Sequence, residues 1–260
     1  MAGEDFKILS FNVKGLQNKS KRLQIFNFCK EKISNNGIVI LQETHSSKKD
    51  AKRWKNEWGG DVFFNHGSSN SRGTLIAFSE RFDKKTVKYI DDKIGRTQLL
   101  TFEHKNKKYM LINLYNNNIE REQVETLKKM DELIEGCMDV NEYNILIGGD
   151  WNFILEKEVD AYGGNPRLKL NSITEHCKLK NKFLLCDIFR VRNPGLKRFT
   201  FRQQTPCLAR RLDRFLISNA LQTKVISCEI LSSLQSDHSP VCLKINTKDG
   251  NFKKGGNYWI

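Results

Sequence analysis

The chain has 260 residues and a formal net charge of +14, from 44 Lys and Arg against 30 Asp and Glu. That length allows one large or two small domains with a real core, and the charge repels basic partners and attracts polyanions, nucleic acid first and an anionic membrane surface second. No apolar run approaches the roughly 20 residues that span a bilayer, and Met1 to Phe6 has no apolar signal-peptide stretch, so a soluble intracellular protein is expected. Seven cysteines, scattered and without a C-x-x-C pair, read as reduced thiols, and the five histidines do not cluster with them as a structural zinc site requires.

In chain order, FKILSFN (6–12) predicts a first strand. An apolar stripe through Leu23, Phe26 and Ile33 predicts a helix over 20–34. A strand follows at 37–43, a helix near 48–57, and strands at 74–79, 98–103 and 109–115. Val124, Leu127, Leu133 and Ile134 mark a helix over 119–138, then a strand at 143–150 and a helix near 171–180. Strands at 198–201, 212–218, 224–231 and 240–245 complete the pattern. β-branched and aromatic residues dominate the strands, and the helical stripes have a 3.6-residue period. Many strands with few helices point to an α/β domain of two packed mixed β-sheets, a β-sandwich flanked by helices, over 1–247. Residues 248–260 (KDGNFKKGGNYWI) break that pattern and read as a linker toward something further on.

Several apolar runs end in a residue able to hold a metal or a phosphate: Asn12, Glu43, Tyr115, Asp150 with Asn152 beyond it, and Asp237-His238 ahead of the last strand. Each alone is an ordinary strand terminator. Together, at the shared edge of a sandwich, they make an acidic cleft in a basic protein. Crowded carboxylates favour a cation, and oxygen ligands without cysteine suit Mg²⁺ or Mn²⁺. Asp213 lies within an apolar strand and needs a partner. His238 is one candidate; Arg211 and Arg214 are the others.

The stretches SFNVKGL (10–16), LQETH (41–45), NLY with Asn118, GGDWN (148–152), LDRFLIS (212–218) and SDHSP (236–240), in this order, resemble the exonuclease III, apurinic-apyrimidinic endonuclease and DNase I-like superfamily. QETH, the run RFTFRQQTPCLARRLDRF and the tail GGNYWI resemble, within it, the endonuclease domain of non-LTR (LINE-type) retrotransposons. The resemblance implies a DNase I-like four-layer fold and a Mg²⁺- or Mn²⁺-dependent nuclease that nicks double-stranded DNA. It further implies a 3′ hydroxyl that primes a reverse transcriptase downstream in the same polyprotein, with the domain monomeric and acting in the nucleus. Glu43 would bind the metal, with Asn12 and Asp237 helping there. Asp150 would position or deprotonate the attacking water, and Asn152 would hold the scissile phosphate. Tyr115 would hydrogen-bond that phosphate as charge develops. Asp213 would orient His238, and Ser236 would support the turn. Thr200 and Asn118 would line the DNA.

The segment 202–211 would be a hairpin loop biasing target choice, with Arg202, Gln203, Gln204, Arg210 and Arg211 suited to groove and phosphate contacts. Basic clusters at 48–55, 105–108 and 190–198 would add affinity that falls with salt. One departure stands out: Lys14 occupies a position where the superfamily commonly has Asp or Asn, and an ammonium cannot ligate a metal. It would contact a DNA phosphate or point to solvent. The rival readings are an abasic-site repair endonuclease, an inositol phosphatase and an inactive DNA-binding module.

Overall fold

The computed structural model describes residues 5–248. In chain order the elements are β1 (Asp5–Asn12), α1 (Lys19–Ile33), β2 (Gly37–Gln42), α2 (Ala51–Trp58), β3 (Val62–Asn65), β4 (Thr74–Phe78), β5 (Lys85–Asp91), β6 (Thr97–His104) and β7 (Lys107–Tyr115). Then come α3 (Glu120–Glu135), β8 (Asn144–Asp150), α4 (Lys157–Asp160), β9 (Ala161–Tyr162), α5 (Leu170–Lys182), β10 (Leu185–Asp187) and α6 (Ile188–Arg192). The last are β11 (Phe201–Gln203), β12 (Leu208–Arg210), β13 (Asp213–Ser218), β14 (Val225–Ile230) and β15 (Val241–Asn246).

Two six-stranded mixed sheets form the body, ordered β14-β15-β1-β2-β4-β3 and β10-β13-β8-β7-β6-β5. Their strands carry apolar residues on both faces, and the alternation explains the four layers. Ile8, Ile40, Ile76, Leu111, Leu146, Phe215 and Leu243 point between the sheets. Leu9, Phe11, Val39 and Leu41 point outward and pack with Phe26, Trp54 and Trp58 of α1 and α2. Met110, Ile112, Ile145 and Ile147 pack with Leu127 and Ile134 of α3 and Leu179 of α5. The two packed sheets flanked by helices are the architecture expected of the sequence.

Gly148 and Gly149 are required where β8 nears the site. A Cβ on Gly148 would lie 2.3 Å from Phe215, and one on Gly149, whose φ is +142°, would lie 1.9 Å from the Leu114 carbonyl oxygen. A third, three-stranded sheet, β11-β12-β9, stands beside the sandwich. The strand expected at 198–201 begins only at Phe201, because Arg198 to Thr200 lead into this small sheet. Residues beyond Lys248, expected to be a linker, lie outside the described residues.

Candidate active site

Register brings the site together. In the second sheet Tyr115 of β7 and Asp213 of β13 are both Cα partners of Asp150 on β8, one on either side. In the first sheet β1 ends at Asn12 beside Gln42, and Glu43 follows. The Asn12 amide bridges the two sheets: its Nδ2 donates to Glu43 Oε1 and to Asp150 Oδ2, both at 2.9 Å. Its Oδ1 accepts from the Lys14 backbone N–H at 3.1 Å. Strained backbone gathers here, with Lys14, Glu43, His45 and Asn152 all at positive φ, which non-glycine residues adopt only where the surroundings enforce it.

Asp213 takes His238 as its partner. Nδ1 of the imidazole lies 2.8 Å from Asp213 Oδ2, and Nε2 lies 4.0 Å from Asp150 Oδ2. The arginines that could have paired with Asp213 are engaged elsewhere. Arg211 binds Asp160 and Asp187, while Arg214 donates to the carbonyls of Phe153 and Arg211. The turn before β15 is tied to β1, since Ser236 Oγ donates to the Asn12 carbonyl at 2.8 Å and accepts from the His238 N–H at 3.1 Å.

The charges respond to this packing. Burial, then the Asp213 charge, pushes the Asp150 carboxyl up to about 7, although His238 and the Asn12 hydrogen bond pull the other way. Burial alone would lower His238. The Asp213 and Asp150 charges and the Asp213 hydrogen bond outweigh it and raise the imidazole to about 10. Burial would also raise Glu43, but the His45, Asn12 and Tyr115 side chains beside it, Asn12 through its hydrogen bond, bring it to about 2. The Tyr115 phenol is held well above its ordinary value by burial and by the Glu43 and Asp150 charges, so it stays a hydrogen-bond donor.

Residues 9–238 match the model of the Endonuclease/Exonuclease/phosphatase family. The chain belongs to that family. It is similar, at 29% identity over 242 residues, to an uncharacterized 149 kDa protein of transposon TX1 from Xenopus laevis; the match takes in 92% of this chain and 18% of the relative. Two solved structures share the fold. One is a 3′-5′ exonuclease from Neisseria meningitidis, with a TM-score of 0.72, 18% identity and coverage of 92% of this chain and 99% of that one. The other is an AP endonuclease from Archaeoglobus fulgidus, with a TM-score of 0.70, 20% identity and coverage of 92% and 98%.

The family's acidic cleft fits a divalent cation in this chain. Asp150, Asp213 and His238 gather within 4.8 Å of one another, and Glu43 is joined to Asp150 through the Asn12 amide; with the imidazole protonated, the carboxylate oxygens are the ligands on offer. Asp213 Oδ1 is buried with no hydrogen-bond partner among the described residues. Two residues expected at the metal have partners within the protein. Asn12 presents its NH₂ group to the carboxylates and orients them, and its Oδ1 accepts from the Lys14 N–H. Asp237 faces the Lys14 ammonium at 2.5 Å, in a pair whose side chains are 60% and 27% exposed.

The DNA-facing set divides. Arg202, Gln203, Gln204 and Asn118 are exposed. Arg210 donates to the Tyr162 and Gly163 carbonyls and so ties the hairpin to β9. Arg211 is 1% exposed and ion-paired, and Thr200 is 0% exposed with its hydroxyl accepting from Leu212 and Asp213 N–H groups; neither can line DNA as expected. The basic cluster at 105–108 also fails that expectation. It sits where β7 starts, and Tyr115 ends the same nine-residue strand, so the two are at opposite poles. In the 190–198 cluster, Arg190 pairs with Asp160, and Arg192 and Arg198 bind the carbonyls of Val225, Ile226 and Ile230.

Several supporting residues were not foreseen. Gln123 donates to the Asn117 and Asn152 carbonyls, and Lys169 to those of Asn118 and Asn152. Asn152 Nδ2 in turn donates to the Asn116 carbonyl at 2.9 Å. Arg96 lies 4.6 Å over the Tyr115 ring. Only His45, inside the QETH motif and 3.8 Å from Glu43 Oε2, had a signal in the sequence; polar positions on helices such as Gln123 look like solvated faces.

Proposed function

We propose that the chain is a divalent-metal-dependent endonuclease that nicks one strand of duplex DNA and leaves a 3′ hydroxyl. In retrotransposon integration, in the nucleus, that hydroxyl would prime a reverse transcriptase lying downstream in the same polyprotein. The observation that carries this reading is the row Asp213–His238–Asp150, joined through the Asn12 amide to Glu43 at the edge of a basic molecule. The transposon relative, of which the chain spans 18%, supports the setting.

The residues divide the work. Glu43, with Asp150 beside it, would hold Mg²⁺ or Mn²⁺, whose charge offsets that developing on the phosphoryl oxygens. The 4.0 Å between His238 Nε2 and Asp150 Oδ2 is too long for a hydrogen bond and short enough for one substrate oxygen to touch both. Asp150, 4.0 Å from His238 Nε2, would accept the proton of the attacking water. His238, kept cationic by Asp213, and the Tyr115 phenol donate to the phosphoryl oxygens, and as the P–O3′ bond breaks the leaving 3′ oxygen takes its proton from solvent water. Asp213 fixes which imidazole nitrogen faces the substrate.

Supercoiled plasmid incubated with the protein should be nicked with Mg²⁺, and left intact with EDTA or with the Asp150→Ala or His238→Ala variant. Absence of Mg²⁺-dependent nicking by the unaltered chain would overturn the nuclease reading. A strong preference for abasic over intact duplex would replace it with a repair role.

A further inference from the structure

We infer that Phe201 is a positioning residue that couples engagement of the 201–210 hairpin to His238, so that what the hairpin meets sets the rate of strand cleavage as well as affinity. The inference rests on the DNA-nicking reading.

Three consecutive residues hold both halves of the Asp213–His238 pair. The Thr200 carbonyl accepts from Ser239 N–H at 2.5 Å, and its hydroxyl accepts from the Leu212 and Asp213 N–H groups at 2.9 Å. Phe201 forms an isolated antiparallel bridge with His238, and its ring lies 5.2 Å from the imidazole at 56°. Arg202 N–H donates to the Asp237 carbonyl at 3.0 Å. Phe201 is half-buried and belongs to none of the three apolar clusters of the fold, so its ring packs on the imidazole without serving the main core.

The two legs of the hairpin are anchored differently. β12 pairs with β9, Arg210 is bonded to the Tyr162 and Gly163 carbonyls, and Arg211 is locked between Asp160 and Asp187. β11 is anchored at the site instead: Thr200 at its base is bonded to Ser239, Leu212 and Asp213, and among the described residues its pairing apart from β12 is with the turn that carries His238. A load on the exposed tip, residues 203–207, is therefore resisted by β12 and passed along β11 to the imidazole. His238 is held at one ring edge by Asp213 and packed against the tilted Phe201 ring, so a tilt of the imidazole moves Nε2, the atom aimed at the substrate.

The test compares Phe201→Ala, Phe201→Leu and Phe201→Tyr with the unaltered chain. Single-turnover nicking is read on a duplex carrying a mapped preferred site and on one with that site altered, and duplex affinity is read by fluorescence anisotropy in EDTA. Phe201→Ala should slow nicking at the preferred site by about 10- to 100-fold with duplex affinity changed by no more than about 3-fold, since small misplacements of a reacting group act on rate. The contrast in rate between the two duplexes should shrink with it, and Phe201→Tyr should restore both. Phe201→Leu, which keeps an apolar side chain, gives the same reading if the alanine variant does not fold. Nicking by the unaltered chain together with unchanged rate contrast in the alanine or leucine variant, or a loss confined to affinity, overturns the coupling alone. An unaltered chain that does not nick overturns the function and the coupling together.

Discussion

His238 Nδ1 and Asp213 Oδ2 lie 2.8 Å apart across 25 residues of sequence, both buried, with the Asp213 backbone pinned by Thr200. An aspartate there accepts the Nδ1 proton and leaves Nε2 toward the substrate. An asparagine carries no charge and can offer its NH₂ to Nδ1 instead, so the imidazolium loses the carboxylate that holds its second proton. Asp213→Asn should therefore slow nicking about as much as His238→Ala, by roughly 10²- to 10⁴-fold, while duplex affinity in EDTA stays close to that of the unaltered chain. A rate within a few-fold of normal for Asp213→Asn would remove Asp213 from this role.

The same pair makes stability depend on pH in a defined direction. His238 is raised from its ordinary value near 6.5 to about 10 in the folded protein, so between those values the folded state binds more protons than the unfolded one. Stability from this group is full below pH about 6.5 and is lost as pH rises toward 10. In urea unfolding with EDTA present, the unaltered chain should lose stability relative to His238→Gln as pH is raised from 6 to 9. A parallel pair of pH profiles would contradict the cationic imidazole.

Much of this was legible because the strands are apolar on both faces and end in polar residues. Runs such as YNILIGGD announce a covered strand and the acid at its tip, and the same holds for Asn12, Glu43 and Tyr115. What sequence hides is which charges are buried against each other. Arg211 sits in a basic stretch and looks like a DNA contact until Asp160, 51 residues earlier, and Asp187 are seen to enclose it. Exposed edge strands are hidden for a related reason: β5, KTVKYID, is mostly exposed and has no core-facing pattern. The Asn12 bridge was invisible too, since its two acceptors come from different sheets.

The Asp160 cluster should govern stability rather than chemistry. Arg211 Nε donates to Asp160 Oδ1 at 2.6 Å and Arg190 to the same oxygen at 2.7 Å. Asp160→Asn would leave Arg211, 1% exposed, facing a neutral amide, and breaking one side of a buried pair costs about 3–5 kcal/mol. Burial opposes the charge on Asp160, yet the arginines bring it down to about 2. Its contribution is therefore present above the unfolded carboxyl value, near 4, and is lost as pH falls toward 2. Chemical denaturation at pH 7 and pH 3 should show the penalty of Asp160→Asn shrinking at the lower pH; an equal penalty at both would mean that packing, not charge, holds the cluster.

Lys14 and Asp237 form a pair of the opposite kind. The Lys14 side chain is 60% exposed and that of Asp237 27%, and such surface pairs contribute at most about 1 kcal/mol. Lys14→Asn should leave the unfolding midpoint nearly unchanged. Its effect belongs to DNA: at the lip of the acidic cleft, a phosphate can take the ammonium from Asp237 when a duplex binds. The slope of log affinity against log salt should then become shallower by about one on Lys14→Asn, the signature of a single lost phosphate contact. An unchanged salt slope, with nicking also unchanged, would confine Lys14 to its partnership with Asp237.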